Sequence, residues 1–240
     1  MHYEPITKAM LTTHGIGCLP KPPGNPARLT SGRTLDHVAG VYDFLEPLMM
    51  FGLDRTIRVE VLRLLALKGG ERVLDVGCGT GTLTREIAGA VPGDRPPCVV
   101  GVDAATGMIA VARRKAKQLP NIAFEAALAE QLPFSEGSFD CALSTMFFHH
   151  INADLKCRTL NEIWRTLVPG GRTVIVDVSP PTNLFGSICA WAGYVLFQQA
   201  EIRENIEGKL EEAFGLSKFR NWRRVAQYAG YISVYVLERE

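Results

Sequence analysis

Residues 73–84, VLDVGCGTGTLT, place Gly77, Gly79 and Gly81 within five positions, directly behind a run of strand-forming apolar residues. A glycine-rich turn between a strand and a helix lets a ligand approach backbone N–H groups, because no Cβ stands in the way. In a doubly wound sheet such a turn lies in the crevice at the carboxyl ends of the strands, the usual binding position.

Outward from this turn, strand-like and helix-like stretches alternate. RVLDV, CVVGV, IAFEA, FDCALS and RTVIVDV read as strands, whereas TLTREIAGA, GMIAVARRKAK and LKCRTLNEIWRTL read as helices. This rhythm predicts an α/β fold, a Rossmann-like doubly wound seven-stranded sheet, mostly parallel, with helices on both faces. Residues 219–238, FRNWRRVAQYAGYISVYVLE, read as two strands joined around Gly230. They lie too close for a helical crossover, so the C-terminal strand is expected to be antiparallel.

Upstream, residues 34–52 have a helical pattern, and a second helix is marked by Asp54 as N-cap, by Ile57, Val61, Leu64 and Leu65, and by Gly69 after its end. Residues 1–33 carry the Pro- and Gly-rich cluster GCLPKPPGNPARLTSG and are expected to form an irregular N-terminal arm. Residues 34–240 then make one domain. A chain of 240 residues with 47% hydrophobic composition can bury the core that this requires.

With 26 Lys and Arg against 25 Asp and Glu, the net charge of +1 offers no footprint for a polyanion, so no nucleic-acid partner is expected. The six cysteines are scattered and form no CxxC pair, which argues against a zinc site or a disulfide framework and for a reducing cytoplasm. No metal is expected. The N-terminus lacks the pattern of a secretory signal.

Asp103 closes the second strand, 26 residues after Gly77, where a carboxylate can accept hydrogen bonds from both hydroxyls of a ribose. The glycines follow GxGxG and not the dinucleotide spacing GxGxxG, and Asp75 stands two residues before the first of them. An acidic residue there can orient the loop and pair with an ammonium, whereas it would repel a pyrophosphate. The expected cofactor is therefore S-adenosylmethionine and not a nicotinamide dinucleotide.

On VLDVGCGTG, VVGVDAATGMI, AEQLPFSEGSFDCALS and EIWRTLVPGGRTVIVD the chain resembles the class I S-adenosylmethionine-dependent methyltransferases. Within them, YDFLEPLMMFGLDRTIR makes it similar to the ubiquinone/menaquinone C-methyltransferase family. That resemblance implies that Asp75, Gly77, Gly79 and Gly81 hold the methionine part of the cofactor, Asp103 the ribose, and Met108 the adenine. Tyr42, Cys78, Ala104, Ala129, Glu130 and Ser144 complete the implied cofactor set. Leu128 stands where relatives carry an aspartate that bonds the adenine amino group. Without that carboxylate, about 0.5–1.5 kcal/mol of binding is absent.

Methyl transfer by in-line displacement from a sulfonium demands alignment in a dry site more than catalytic side chains. His149 and His150, at the carboxyl end of the fourth strand, are the candidates for a base, since neutral imidazole suits that role near pH 7. Adjacent histidines cannot both point inward. Asp177, ending the fifth sheet strand of the parallel set, is a further pocket candidate.

Residues 178–200, VSPPTNLFGSICAWAGYVLFQQA, contain no charged residue. Residues 179–200 are expected to form an apolar lid that presents Phe185, Trp191 and Tyr194 to a lipophilic or aromatic acceptor, with peripheral membrane contact or a homodimer as further uses of the surface. Phospholipid, natural-product and arsenite methylation are the alternative activities. A protein that binds S-adenosylmethionine without turnover is the alternative outside enzymes.

Overall fold

The computed structural model describes residues 4–34, 52–90 and 98–240. Tyr42 and the helix expected beyond Thr34 lie outside the described residues. The described chain contains a seven-stranded sheet in the order β3-β2-β1-β4-β5-β7-β6. The strands are β1 (Arg72–Val76), β2 (Cys98–Asp103), β3 (Ile122–Ala126), β4 (Phe139–Thr145), β5 (Leu167–Val178), β6 (Asn221–Tyr228) and β7 (Ile232–Glu238).

β1 pairs in parallel with β2 on one side and β4 on the other, aligning Asp75 with Gly101 and with Leu143. The chain builds outward from β1 through β2 to β3 and then crosses back to β4. The glycine turn after β1 therefore sits at the point where the strand order reverses, the crevice position of doubly wound sheets. β7 is the antiparallel strand, paired with both β5 and β6.

The central strands are buried on both faces, as a parallel sheet covered by helices demands. Leu74, Val76, Val100 and Val102 face one core layer with Leu160 and Ile163. Val73 and Val99, one residue out of phase, face the other with Val61, Ile109 and Ala112. The helix over Asp54–Leu65 turns Ile57, Val61 and Leu65 into that second layer. Its cap position is Leu53, and Asp54 instead occupies the first turn and bonds Arg58.

The N-terminal arm is more ordered than its Pro and Gly content suggests. A helix spans Glu4–Thr13, and Met10, Leu11 and Ile16 are buried in the first core layer. Past it, Leu19 N–H donates to the Pro133 carbonyl at 2.9 Å, and Ser135 N–H to the Gly17 carbonyl at 2.8 Å. Pro5 falls in the first turn, where proline is tolerated, and the next breaker is Gly15, so Met10 and Leu11 between them are free to gain burial.

Within residues 179–200 lies a helix over Leu184–Phe197, capped by the Asn183 carboxamide, which accepts from Gly186 N–H at 2.7 Å. Gly186 lies so close to the β6–β7 turn that a Cβ would come within 2.4 Å of the Gly230 carbonyl oxygen. Of this helix only Gly186 and Ala190 are buried. Among the described residues, no helix is long and apolar enough to cross a membrane. Helices over Ala200–Ile206 and Lys209–Leu216 then lead the chain to β6.

Candidate active site

Gly77, Gly79 and Gly81 all have φ between 53° and 77°, so the turn needs residues that tolerate left-handed backbone. At Gly77 a Cβ would meet the Phe147 ring at 2.5 Å, and at Gly81 the Phe124 ring at 2.5 Å. Side chains are excluded at these two positions by aromatic packing from β3 and from the turn after β4. Gly77 and Gly79 face open space on both sides of the loop.

Two carboxylates shape the turn. Asp103 accepts from Gly79 N–H at 3.0 Å and Ala105 N–H at 2.8 Å, tying the β1 and β2 turns together. Asp75, buried in β1, accepts from the Thr84 hydroxyl at 2.6 Å and so fixes the helix over Thr82–Ala88. Between them, burial first and the charges of Asp75 and Asp103 next push the Cys78 thiol well above its ordinary range. Burial disfavours a charge of either sign, and the two carboxylates add a negative potential that suits a cation better than a pyrophosphate.

Two cavities open on the turn. The first, of about 710 Å³ including its open mouth, is lined by Gly77, Gly79, Asp103, Ala104, Met108, Ala129, Glu130 and His150, with Phe147 and the arm residues Thr30, Gly32, Arg33 and Thr34. The second, of about 580 Å³ on the same measure, is lined by Asp75, Gly77, Cys78, Gly79, Asp54 and Arg58 among others. Gly77, Gly79, Thr145 and Met146 border both, so the cavities flank a single loop.

The histidines occupy a 3-10 turn over Phe148–His150. Asp177, wholly buried at the end of β5, accepts from Phe148 N–H at 2.7 Å, His149 Nδ1–H at 2.8 Å and Asn205 Nδ2–H at 3.1 Å. Burial pushes the Asp177 carboxyl up, but the adjoining His149 ring and the hydrogen bonds outweigh it, and the net shift is downward. His149 is thus turned away from the cavity and held by Asp177. His150 lines the cavity, its Nδ1–H donating to Gln199 Oε1 at 3.1 Å. Burial above all, with His149 beside it, pushes the His150 imidazole down to about 3, so it is neutral at physiological pH.

The structure gathers Asp75, Gly77, Cys78, Gly79, Asp103, Ala104, Met108, Ala129, Glu130 and His150 on the two cavities. Gly81 belongs to the turn as the cap of the Thr82–Ala88 helix. Ser144 is buried within β4, and its hydroxyl has no hydrogen-bond partner among the described residues. Asp177 supports the histidine turn instead of lining the pocket. Phe185, Trp191 and Tyr194 line neither cavity, because Gly186 and Ala190 seat the helix against the sheet and leave Phe185 60% and Trp191 39% exposed.

Arg58 lies in the stretch that carries the family resemblance, whereas Arg33, Phe147 and Gln199 had no local signal in the sequence. Their positions follow from chain reversals and not from a motif. Among the described residues, no three His, Cys, Asp or Glu side chains are placed to share a metal ion, and Cys18, Cys157 and Cys189 offer no converging thiols for arsenite.

The methyltransferase domain family matches residues 73–171. The chain is 39% identical over 149 residues to the ubiquinone/menaquinone biosynthesis C-methyltransferase of Geobacter sulfurreducens, a match covering 61% of this chain and 57% of that protein. The match thus spans somewhat more than half the length of that relative. Among solved structures, the fold is similar to phosphoethanolamine N-methyltransferase 2 of Haemonchus contortus, with a TM-score of 0.62 and 19% identity over 90% of this chain and 59% of that one. The demethylmenaquinone methyltransferase of Staphylococcus saprophyticus is 31% identical over 203 residues, 77% of this chain and 85% of that protein. The chain belongs to the class I S-adenosylmethionine-dependent methyltransferases, in the family that includes the demethylmenaquinone methyltransferases.

Proposed function

We propose that the protein transfers a methyl group to a small lipophilic or aromatic acceptor of the quinone-precursor type. The observation that carries this reading is the run of the first cavity from Asp103 to His150, which joins a nucleoside-binding carboxylate to a neutral imidazole in one space. S-adenosylmethionine, when bound, supplies an electrophilic methyl group on a positively charged sulfur. The donor set fits it: two carboxylates border a turn whose potential favours cations, and Asp103 presents acceptors to a ribose.

In this reading Asp103 and Glu130 hold the adenosine part, Met108 packs against the base, and Asp75 with Gly77 and Gly79 surrounds the amino-acid part. His150 accepts a hydrogen bond from the acceptor at the ring nitrogen not bonded to Gln199 and, staying neutral, orients it. Thr30 to Thr34 and Phe147 exclude water from the cavity.

The exposed helix over Leu184–Phe197 is assigned here to a lipid surface from which a lipophilic acceptor arrives, in place of direct contact with the bound acceptor. Leu184, Ile188, Trp191 and Val195 recur at helical spacing and are all exposed, in a segment with no charge. A second copy of the chain is the competing occupant.

The experiment is incubation with S-adenosylmethionine labelled in its methyl group and a metabolite extract, followed by partition between organic and aqueous phases. Label in an organic-soluble aromatic product is expected. Label confined to polar products would overturn the acceptor class. Tight S-adenosylhomocysteine binding with no transfer to any fraction would make the protein a non-catalytic binder.

A further inference from the structure

Three segments outside the alternating framework meet at the histidine turn. From the N-terminal arm, Arg33 N–H donates to the His150 carbonyl at 3.0 Å. From the helix over Ala200–Ile206, Asn205 reaches Asp177, the partner of His149, and Glu204 reaches Lys156 Nζ at 2.8 Å. Lys156 is fully buried and donates as well to the Ile151 carbonyl at 2.6 Å, one residue past the turn. At the junction with the exposed apolar helix, Gln198 has left-handed backbone at φ 49°, which reverses the chain and sends the Gln199 side chain inward. Gln199 is only 5% exposed, and its carboxamide oxygen meets His150 Nδ1.

We propose that Gln199 is a positioning residue: its carboxamide oxygen holds His150 in the Nδ1-protonated tautomer, so that Nε2 carries a lone pair toward the acceptor cavity. The chemistry is direct. A carboxamide oxygen can only accept, so the nitrogen bonded to it must carry the proton, and the second nitrogen of a neutral imidazole is then an acceptor. Gln199 lines neither cavity and touches the reaction only through His150. It also terminates the exposed helix, so displacement of that helix is felt at the imidazole.

The charged and titratable groups around His150 are Arg33 from the arm, His149 in the same turn and Asp177 at the end of β5, with Asp103 and Glu130 on the same cavity. Burial and the neighbouring His149 keep the ring neutral. A neutral ring has a tautomer to be chosen, and Gln199 makes the choice.

The inference rests on the methyl-transfer reading for its consequence but not for its first test. Long-range ¹⁵N–¹H correlation spectra of the full-length protein with S-adenosylhomocysteine should show His150 with Nδ1 protonated and Nε2 unprotonated. In Gln199→Met, which keeps the length of the side chain and removes the acceptor oxygen, the spectrum should move toward the Nε2-protonated form. The kcat for methyl transfer should fall roughly tenfold, the worth of one net hydrogen bond. S-adenosylhomocysteine affinity should stay within about twofold, because the cofactor contacts are separate. Gln199→Glu, which supplies a charged acceptor, should keep the wild-type tautomer and raise the pH of the acid limb of the kcat profile. A wild-type spectrum with Nε2 protonated overturns the inference even if no variant folds, as does a Gln199→Met protein with unchanged tautomer and kcat. The predicted tautomers with no methyl transfer at all would contradict the proposed activity and leave the role of Gln199 standing.

Discussion

Asp103 is the residue proposed to carry cofactor recognition. It bonds Gly79 N–H and Ala105 N–H through different oxygens, so it shapes the turn while facing the cavity. Asp103→Ala should weaken S-adenosylhomocysteine binding by about 1.5–3 kcal/mol, the range for losing a charged acceptor. Titration calorimetry on the folded variant checks this, and an unchanged Kd would refute the ribose assignment. Gly77 is constrained differently, by φ +77° and by the Phe147 ring. Gly77→Ala should lower Tm, and combining it with Phe147→Ala should cost less than the sum of the two changes, because they share a contact. His150 adds a pH dependence. Its folded value of about 3 lies below the ordinary 6.5, so on acidification the unfolded chain binds the proton first. Stability is then full above about pH 6.5 and is lost as pH falls toward 3. Asp177, lowered in the fold, is also lost on the acid side, below the ordinary carboxylate range. Denaturant titrations from pH 7 to 4 should show the decline, and His150→Gln should flatten it. Asp75 and Asp103 were legible because their spacing from the glycines is local. Arg33 and Gln199 were not, since distant reversals of the chain bring them to His150.

The helix over Leu184–Phe197 is the element whose use the sequence left most open. An uncharged helix is apolar on every side, so periodicity cannot tell its buried face from its exposed one. The choice is made by Gly186 and Ala190, the residues small enough to approach the Gly230 carbonyl and the second core layer. Ile188 and Leu196, 60% and 75% exposed, carry little of the fold. Ile188→Lys and Leu196→Lys should therefore change unfolding free energy by no more than about 0.5 kcal/mol each. The same changes should reduce co-sedimentation with phospholipid vesicles several-fold. If binding to vesicles is absent in the wild type and sedimentation equilibrium shows a dimer that these lysines dissociate, the face is a subunit contact. Hydrogen exchange tests whether the segment acts as a lid: if it does, cofactor binding should slow residues 30–34 and 198–200 more than the strands. Exchange in 198–200 already as slow as in β4 without ligand would contradict it.

For the whole molecule, alternation of buried strands and amphipathic helices was readable because each central strand is apolar on both faces and the helices between the parallel strands carry a period of their own. The antiparallel pairing of β7 was readable from the short turn at Gly230. The arm was less so: its prolines masked a helix whose burial depends on a surface formed by residues far along the chain. The two helices between Ala200 and Leu216 were overshadowed by the uncharged segment before them, yet they carry Asn205 to Asp177 and follow directly on Gln199. The strand order puts the glycine turn at the reversal point, and the carboxylates of Asp75 and Asp103 bias it toward a cationic nucleoside. Calorimetric titration of the full-length protein with S-adenosylhomocysteine and, separately, with NAD tests that claim most directly. Saturable binding of S-adenosylhomocysteine at one site per chain, weakened in Asp103→Ala, with no heat from NAD, is the predicted result. Tight NAD binding with none of S-adenosylhomocysteine would contradict it.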